Sequence, residues 1–277
     1  MLYDKRNIII STGNILNVNK KAGQKTNEEL FDCLSLIASD PVIDVKAGII
    51  ARNNDDLLVK VKEFERNNIK IGAKVFLNHS NPNLLHDAID SLLKLLEIDH
   101  LDNLILAYHP LNETNGIEKS NGHQNGTSLG SSLSKDSLFT WSENPTAVDE
   151  LKILWQALET YADDKRICQL GIADLDTDTL INLYASSRVK PAISQINLSA
   201  CCVVPPSMQE FCAKNEIQLL THSDSEVIIA KNSFKELNNE PFNLQPFTPT
   251  WTSRYQVHIK CRGVLTAKGF LLGAARN

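Results

Sequence analysis

The sequence predicts an α/β fold, a single (β/α)8 barrel of eight strands and intervening helices. Short apolar runs alternate with amphipathic helical patterns along the chain. At 277 residues the chain is close to the length of about 250 residues that is typical of such barrels, so residues 1–277 are predicted to form one domain. No GxGxxG follows a predicted strand and no GxxxxGK[ST] occurs, which disfavours the alternative, a doubly wound open sheet.

The first half of the chain supplies four predicted strands and the helices that separate them. Thr26 and Glu29 belong to a capping box that opens a helix after the first strand. Residues 55–67 alternate charged and apolar side chains, which favours a solvent-facing helix, and residues 84–96 have the apolar spacing of an amphipathic helix. The strands are predicted at residues 7–12, 42–50, 69–77 and 104–108.

Residues 112–144 interrupt this alternation. The stretch is rich in Ser, Asn and Gly and has almost no large apolar side chain before Leu138. Such a composition buries too little apolar surface to offset the entropy lost on ordering. We therefore predict a mobile polar insertion on the loop after the fourth strand, followed by a helix around residues 148–158.

The second half is organised around residues 195–206 and the strand-like runs on either side. Residues 167–172 and 217–222 are apolar runs, and helical patterns at residues 177–188 and 207–214 separate them from the central stretch. This order is typical of a parallel sheet with crossover helices. The remaining predicted elements are a helix at 226–237, a loop at 238–250 and an eighth strand at 255–260.

Composition excludes several classes of function. The net charge of -5 and the pI of about 5.8 argue against a nucleic-acid partner, which requires clustered Lys and Arg. The apolar run at residues 8–10 is too short for a signal peptide or a membrane span, so we expect a cytoplasmic protein with no membrane partner. The six cysteines lack zinc-ligand or CxxC spacing, so we predict reduced thiols and no metal site.

Several polar residues fall at the carboxyl ends of predicted strands, where parallel sheets carry their chemistry. Lys74 is unusual in an apolar strand, because an unpaired ammonium is costly in a core, and a pocket-facing role is one explanation. His109 is either a base or a solvated loop residue. Cys201 and Cys202 are either small apolar fillers or thiols with some thiolate character, since a Pro-Pro pair that favours a helix start follows them. The candidates are Lys74, Tyr108, His109, Asp174, Cys201, Cys202, His222 and Asp224.

Five motifs in this order resemble the aldo-keto reductases. They lie at residues 73–76, 101–110, 170–174, 191–196 and 220–223. Within that superfamily the match is closer to the family of modifier, or regulatory, subunits of glutamate–cysteine ligase. The stretches similar to this family lie at residues 28–33, 195–206, 217–222 and 254–269. The resemblance is strong from Lys165 to the end, weak over residues 42–68 and absent from the insertion.

The resemblance implies a reductase pocket that has lost its acid. Active aldo-keto reductases use a Tyr as acid, assisted by Lys, Asp and His, while NADPH supplies the hydride. Lys74 matches the Lys of the family, but residues 51–64, where the Tyr belongs, contain none. The His position falls on Tyr108. Because the carbonyl oxygen then has no general acid, transition-state stabilisation on the order of several kcal/mol is lost and reductase chemistry is not expected.

The nicotinamide pocket of the family is altered as well. Gln195 remains, whereas the Ser-Asn pair becomes Ala173-Asp174 and the stacking Tyr becomes His222. The resemblance implies no required cofactor and leaves open whether NADPH still binds. The vestigial pocket is expected to comprise Lys74, Tyr108, Gln195 and His222.

The resemblance also implies a function. A non-catalytic subunit of this family binds the catalytic, or heavy, subunit of glutamate–cysteine ligase as a heterodimer, improves its use of glutamate and weakens its inhibition by glutathione, in glutathione biosynthesis. Cys201 and Cys202 are expected to contact the partner or respond to redox state, with an interface that forms without a disulfide. The alternatives are an NADPH-dependent reductase with a rearranged acid, Tyr108 or His109, and an NADPH-sensing regulator.

Overall fold

Over the residues that it describes, the computed structural model has an α/β architecture with one sheet of ten strands. These residues are 5–18, 21, 23–110, 140–198, 203–225, 227–229, 236–237 and 244–276. The strands are β1 (Asn7–Ser11), β2 (Pro41–Asp44), β3 (Ile49–Arg52), β4 (Ile69–Leu77), β5 (Asn103–Tyr108), β6 (Leu170–Ala173), β7 (Ile193–Asn197), β8 (Gln218–His222), β9 (Phe247–Ile259) and β10 (Val264–Arg276). The helices are α1 (Thr26–Ser39), α2 (Leu57–Lys62), α3 (Pro82–Leu96), α4 (Pro145–Asp163), α5 (Thr177–Ser186) and α6 (Pro206–Lys214), with short 3-10 turns at Arg66–Asn68 and Trp141–Glu143.

The sheet combines a parallel half with a largely antiparallel half. Across the described part of the chain the strand order is β2-β3-β1-β10-β9-β4-β5-β6-β7-β8. From β4 to β8 each strand is parallel to the next, as predicted. β9 pairs antiparallel with β4 and β10, and β10 pairs antiparallel with β1. Because this order runs from β2 at one end to β8 at the other, a closed single barrel is not confirmed.

The second predicted strand, at residues 42–50, is a hairpin. β2 and β3 pair antiparallel, and the residues between them turn back. Gly48 has φ +70, a left-handed conformation that glycine adopts without steric cost, and its N–H donates to the carbonyl of Asp44 over 2.8 Å. The Asp44 side chain accepts from the N–H of Ala47. The prediction of one strand was wrong because this turn was not recognised.

The eighth predicted strand, at residues 255–260, is the end of β9 and belongs to a second hairpin. β9 and β10 have 13 residues each. They are joined by a turn in which Gly263, at φ +61, donates its N–H to the carbonyl of Ile259 over 2.8 Å. No helix lies between these two strands, so this part of the chain is not the strand–helix unit that the barrel prediction requires.

The helices pack on opposite faces of the sheet. Since successive side chains of a strand point to opposite faces, Val75 and Phe76 mark two different cores. Val75 lies in the core formed with α2 to α6, on what we call the outer face. Phe76 lies in the core formed with Leu30 and Leu34 of α1 and Phe270 of β10, on what we call the inner face.

Contacts across the inner face show that the sheet curls. In a flat sheet β4 and β8 would lie about 19 Å apart, because three strands separate them and neighbouring strands are about 4.8 Å apart. Yet the Nζ atom of Lys74 on β4 is 2.9 Å from the carboxylate of Asp224, two residues after β8. The inner face is therefore concave.

Most of the predicted insertion, residues 112–139 of 112–144, lies outside the described residues, and the single domain stays a prediction. The last part of the insertion is described, and Trp141 there is buried, with its indole N–H donating to the carbonyl of Asp174 over 2.8 Å. This end of the insertion packs into the protein. Within the described ranges, no helix is both long and apolar enough to cross a membrane.

Replacing Gly269 by Ala should destabilise the β9–β10 hairpin. A Cβ at this position would lie 2.1 Å from the carbonyl oxygen of Gly13 and 2.3 Å from the hydroxyl of Tyr255, two atoms joined by a 2.8 Å hydrogen bond. Such overpacking costs about 3 kcal/mol, measurable by urea unfolding. Gly263→Ala is the matched control, because its Cβ would meet nothing within 4 Å and the left-handed backbone costs only about 1 kcal/mol. Equal losses in the two variants would contradict this packing.

Candidate functional site

A cluster of buried charged side chains lies on the inner face, at the carboxyl ends of the parallel strands. Asp224 is at its centre. The Oδ2 atom accepts from Lys74 Nζ over 2.9 Å and from Arg254 Nη2 over 3.1 Å. The Oδ1 atom accepts from Arg254 Nη1 and from the Thr26 hydroxyl, the latter over 2.6 Å. The Asp224 cluster comprises Asp224, Lys74, Arg254, Thr26, Gln195, His222, Asp174 and His109.

The register of the sheet explains why a carboxylate is needed here. Lys74 of β4 is paired with Arg254 of β9, so both cations project from the same face, and like charges opposite each other on neighbouring strands repel. The two cationic groups lie 5.3 Å and 5.8 Å from the centre of the Phe76 ring. The Asp224 carboxylate neutralises this pair and binds the guanidinium through both oxygens, a strong and directional arrangement.

Lys74 is almost fully enclosed. Its side chain and that of Asp224 are each 4% exposed, and its ammonium also donates to Gln195 Oε1 over 3.0 Å. Burial lowers the pKa of Lys74, and the charge and hydrogen bond of Asp224 act in the opposite direction. Burial raises the pKa of Asp224, but the hydrogen bond from His222 and the charges of Arg254 and Lys74 hold this pKa well below its usual range. Asp224 is therefore a carboxylate at neutral pH.

Asp174 joins two imidazoles at the ends of β5 and β8. It follows β6 with φ +64, an uncommon conformation for a residue other than glycine. Its Oδ1 lies 2.8 Å from His222 Nε2, and its Oδ2 lies 3.2 Å from His109 Nε2. Burial raises the pKa of Asp174, but the hydrogen bonds from His109 and His222 bring this pKa well below its usual range. One ionised carboxylate thus accepts from both rings.

Tyr108 is not part of the cluster, in contrast to its predicted place in the pocket. It is the last residue of β5 and belongs to the core of the outer face. Its hydroxyl donates to the Glu150 carboxylate of α4, and its ring centre lies 6.4 Å from that of Trp141. Burial and the contact with Glu150 raise the pKa of Tyr108. Side chains alternate along a strand, and the next residue, His109, reaches the inner face instead.

The structure brings together most of the candidates at the strand ends. Lys74, Gln195 and His222 of the predicted pocket meet, together with Asp174, His109 and Asp224. Sequence reasoning missed Thr26 and Arg254. Neither residue has a local signal for this site: Arg254 is among the polar members of an alternating pattern at residues 251–258, and Thr26 is marked only as part of a predicted capping box. Cys201 and Cys202 lie outside the described residues, so their roles stay predictions.

The polar groups of the cluster are bound mainly to one another, in ion pairs and hydrogen bonds. Its one hydroxyl, that of Thr26, donates to Asp224 and accepts from Arg254 Nη1 over 2.9 Å. His109 Nδ1 is buried and has no hydrogen-bond partner among the described residues. Nowhere in the described ranges do three or more His, Cys, Asp or Glu side chains form a group that could hold a metal ion. The arrangement links four parts of the chain through one carboxylate.

Comparisons with solved structures give aldo-keto reductases. An aldose reductase from Giardia lamblia is 15% identical, with a TM-score of 0.37 over 71% of this chain and 53% of that chain. An aldo/keto reductase from Brucella melitensis is 16% identical, with a TM-score of 0.39 over 60% of this chain and 50% of that chain. No protein-family profile matches the sequence.

Comparisons with curated proteins extend over almost the whole chain. The glutamate–cysteine ligase regulatory subunit of Homo sapiens is 29% identical over 291 residues, which cover 100% of this chain and 96% of that protein. The regulatory subunit of Rattus norvegicus is 30% identical over 282 residues, which cover 97% of this chain and 92% of that protein. Similarity of this extent shows that the chain belongs to the family of glutamate–cysteine ligase regulatory subunits.

Proposed function

We propose that this chain is a non-catalytic regulatory subunit that binds the catalytic subunit of glutamate–cysteine ligase and modulates it. The observation that carries the proposal is similarity over nearly the full length to proteins named as regulatory subunits of that ligase. The two chains form a heterodimer in the cytoplasm. Binding improves the use of glutamate and weakens feedback inhibition by glutathione in glutathione biosynthesis.

The modulation requires only a modest coupling energy. A partner that binds one state of an enzyme preferentially increases the population of that state. Coupling free energies of about 1 to 3 kcal/mol change an affinity by about 5- to 150-fold. A surface contact between the two chains can supply a difference of this size without any chemistry on the regulatory chain.

Two features of the structure support the absence of reductase activity. Carbonyl reduction needs a proton donor close to the reacting oxygen. The hydroxyl of Tyr108 is on the other face of the sheet, bound to Glu150, and the ammonium of Lys74 is already bound by Asp224 and Gln195. In this proposal the buried charges stabilise the fold.

The proposal includes no required cofactor. A nicotinamide carboxamide needs partners that both donate and accept, whereas an ionised carboxylate only accepts. Asp174 stands where the reductases have an amide, and its oxygens already accept from His109 and His222. The residues present therefore do not fit the nicotinamide of NADPH. The retention of Lys74 and Gln195 favours the alternative, an NADPH-sensing regulator.

Adding this chain to the purified catalytic subunit should lower the apparent KM for glutamate about fivefold or more and should raise the inhibition constant for glutathione. The physical reason is preferential binding to the glutamate-competent state. Glutamate and glutathione titrations after co-elution of the two chains measure both effects. Tyr108→Phe is the control, since loss of a hydroxyl on the outer face should leave the modulation intact. Co-elution with unchanged kinetic constants would refute the regulatory role.

Purified chain should neither oxidise NADPH with generic aldehydes nor release heat when titrated with millimolar NADPH. The reason is that Lys74 is already bound by Asp224 and Gln195, His109 and His222 are already bound by Asp174, and the site offers a carboxylate where an amide is needed. An active aldo-keto reductase run in parallel establishes the sensitivity of both measurements. Turnover that disappears in Lys74→Met would establish a reductase instead, and saturable heat without turnover would favour an NADPH sensor.

A further inference from the structure

His222 lies between two carboxylates and has two alternative sets of hydrogen bonds. It is the last residue of β8, and its side chain is 7% exposed. Its Nε2 is 2.8 Å from Asp174 Oδ1. Its Nδ1 is 3.1 Å from the backbone nitrogen of Asp224 and 3.3 Å from Oδ2 of the same residue. The amide needs an acceptor and the carboxylate needs a donor, so Nδ1 cannot serve both at once.

The protonation state of the ring decides which partner Nδ1 serves. In the neutral ring, Nε2–H donates to Asp174 and Nδ1 accepts from the N–H of Asp224. In the imidazolium, both nitrogens carry protons, so Nδ1–H donates to the Asp224 carboxylate and the Asp224 amide loses its acceptor. Protonation of His222 therefore replaces the hydrogen bond between Nδ1 and the backbone amide of Asp224 by one between Nδ1 and the Asp224 carboxylate.

The groups around His222 carry no net positive charge that would oppose protonation of the ring. Lys74 and Arg254 are balanced by Asp174 and Asp224, and Thr26 of α1 is uncharged. The charged and titratable groups that face His222 are Lys74 of β4, His109 after β5, Asp174 after β6, Asp224 after β8 and Arg254 of β9.

We propose that His222 is a proton-operated latch that fastens the segment after β8 to the sheet and to the start of α1. The protonated ring adds a donor to the carboxylate that already binds Lys74, Arg254 and Thr26. The neutral ring withdraws that donor and holds only the backbone of Asp224. The latch is a property of the fold and does not rest on the proposed regulatory function.

The direction of the pH dependence follows from the surroundings. Burial lowers the pKa of His222, but the hydrogen bonds with Asp174 and Asp224 raise it by more, so this pKa lies above its ordinary value of 6.5. The latch therefore stabilises the folded protein fully below pH 6.5, and this stabilisation is lost as the pH rises through the raised pKa. Both carboxylates stay ionised over this range, because their pKa values are lowered.

Nuclear magnetic resonance of the wild-type chain tests the latch without any substitution. The ring protons of His222 should titrate with a midpoint above 6.5, and the amide proton of Asp224 should shift with the same midpoint, since it changes partner in that step. Asp174→Asn, which keeps the shape and removes one carboxylate, should lower the midpoint. A midpoint at or below 6.5, or an Asp224 amide that does not titrate with the ring, overturns the proposal.

Unfolding measurements at about pH 6 and about pH 9 test the effect on stability. Wild type should lose stability on going to the higher pH, and His222→Gln should lose that part of the dependence. His258→Gln is the matched control with the opposite sign, because burial and Lys70 lower the pKa of His258, so this residue stabilises the fold above pH 6.5 and that contribution is lost on acidification. Equal pH dependence in wild type and His222→Gln, with both folded, contradicts the latch.

Discussion

The buried carboxylate of Asp224 is the interaction on which the inner face of the sheet depends. It binds Lys74 of β4, Arg254 of β9 and Thr26 of α1, and it lies two residues after β8. Removing such ions from water costs on the order of several kcal/mol each, and only close, multiple hydrogen bonds offset this cost. Without the carboxylate, two cations would face each other on neighbouring strands in a buried site. The curl of the sheet and the position of α1 are thus tied to one side chain.

The burial of this cluster bears on where regulation takes place. The side chains of Lys74, Asp224 and His222 are 4%, 4% and 7% exposed, so a partner chain does not reach them directly. Under the proposed function, the cluster fixes the arrangement of the strand ends, and the partner binds the surface that the strand ends form. Under this proposal the cluster contributes stability and no chemistry.

Local pattern was sufficient to predict the parallel half of the sheet. The apolar run of β4 and the helical spacing of α3 were both predicted at nearly their observed positions, since burial on one face imposes a period that a single sequence shows. The β2–β3 and β9–β10 hairpins were missed because the short turns that join each pair of strands, with Gly48 and Gly263 in left-handed conformations, were not recognised in the sequence. Tyr108 was expected in the pocket with Lys74, whereas it packs in the core of the outer face. Its side depends on the register of β5, and one residue changes it.

The cluster was predicted only in part, for a physical reason. A lysine in an apolar strand signals a buried partner, and this pointed to Lys74. The identity of the partner depends on the curl of the sheet, which brings Asp224 across four strand spacings and places Thr26 beside it. Neither the curl nor the contact with α1 leaves a local mark on the sequence.

A double-mutant cycle on Lys74 and Asp224 tests most directly whether this ion pair holds the inner face together. Asp224→Asn should lower the free energy of unfolding by about 3 to 5 kcal/mol, because it leaves buried cations without a counter-charge. Adding Lys74→Met should recover part of that loss, so the double variant should be more stable than the sum of the single losses implies. The exposed pair of Arg188 and Asp163, with side chains 59% and 50% exposed, should show a coupling of no more than about 1 kcal/mol. If the stability lost in the double variant equals the sum of the two single losses to within about 0.5 kcal/mol, the ion pair does not hold the inner face together.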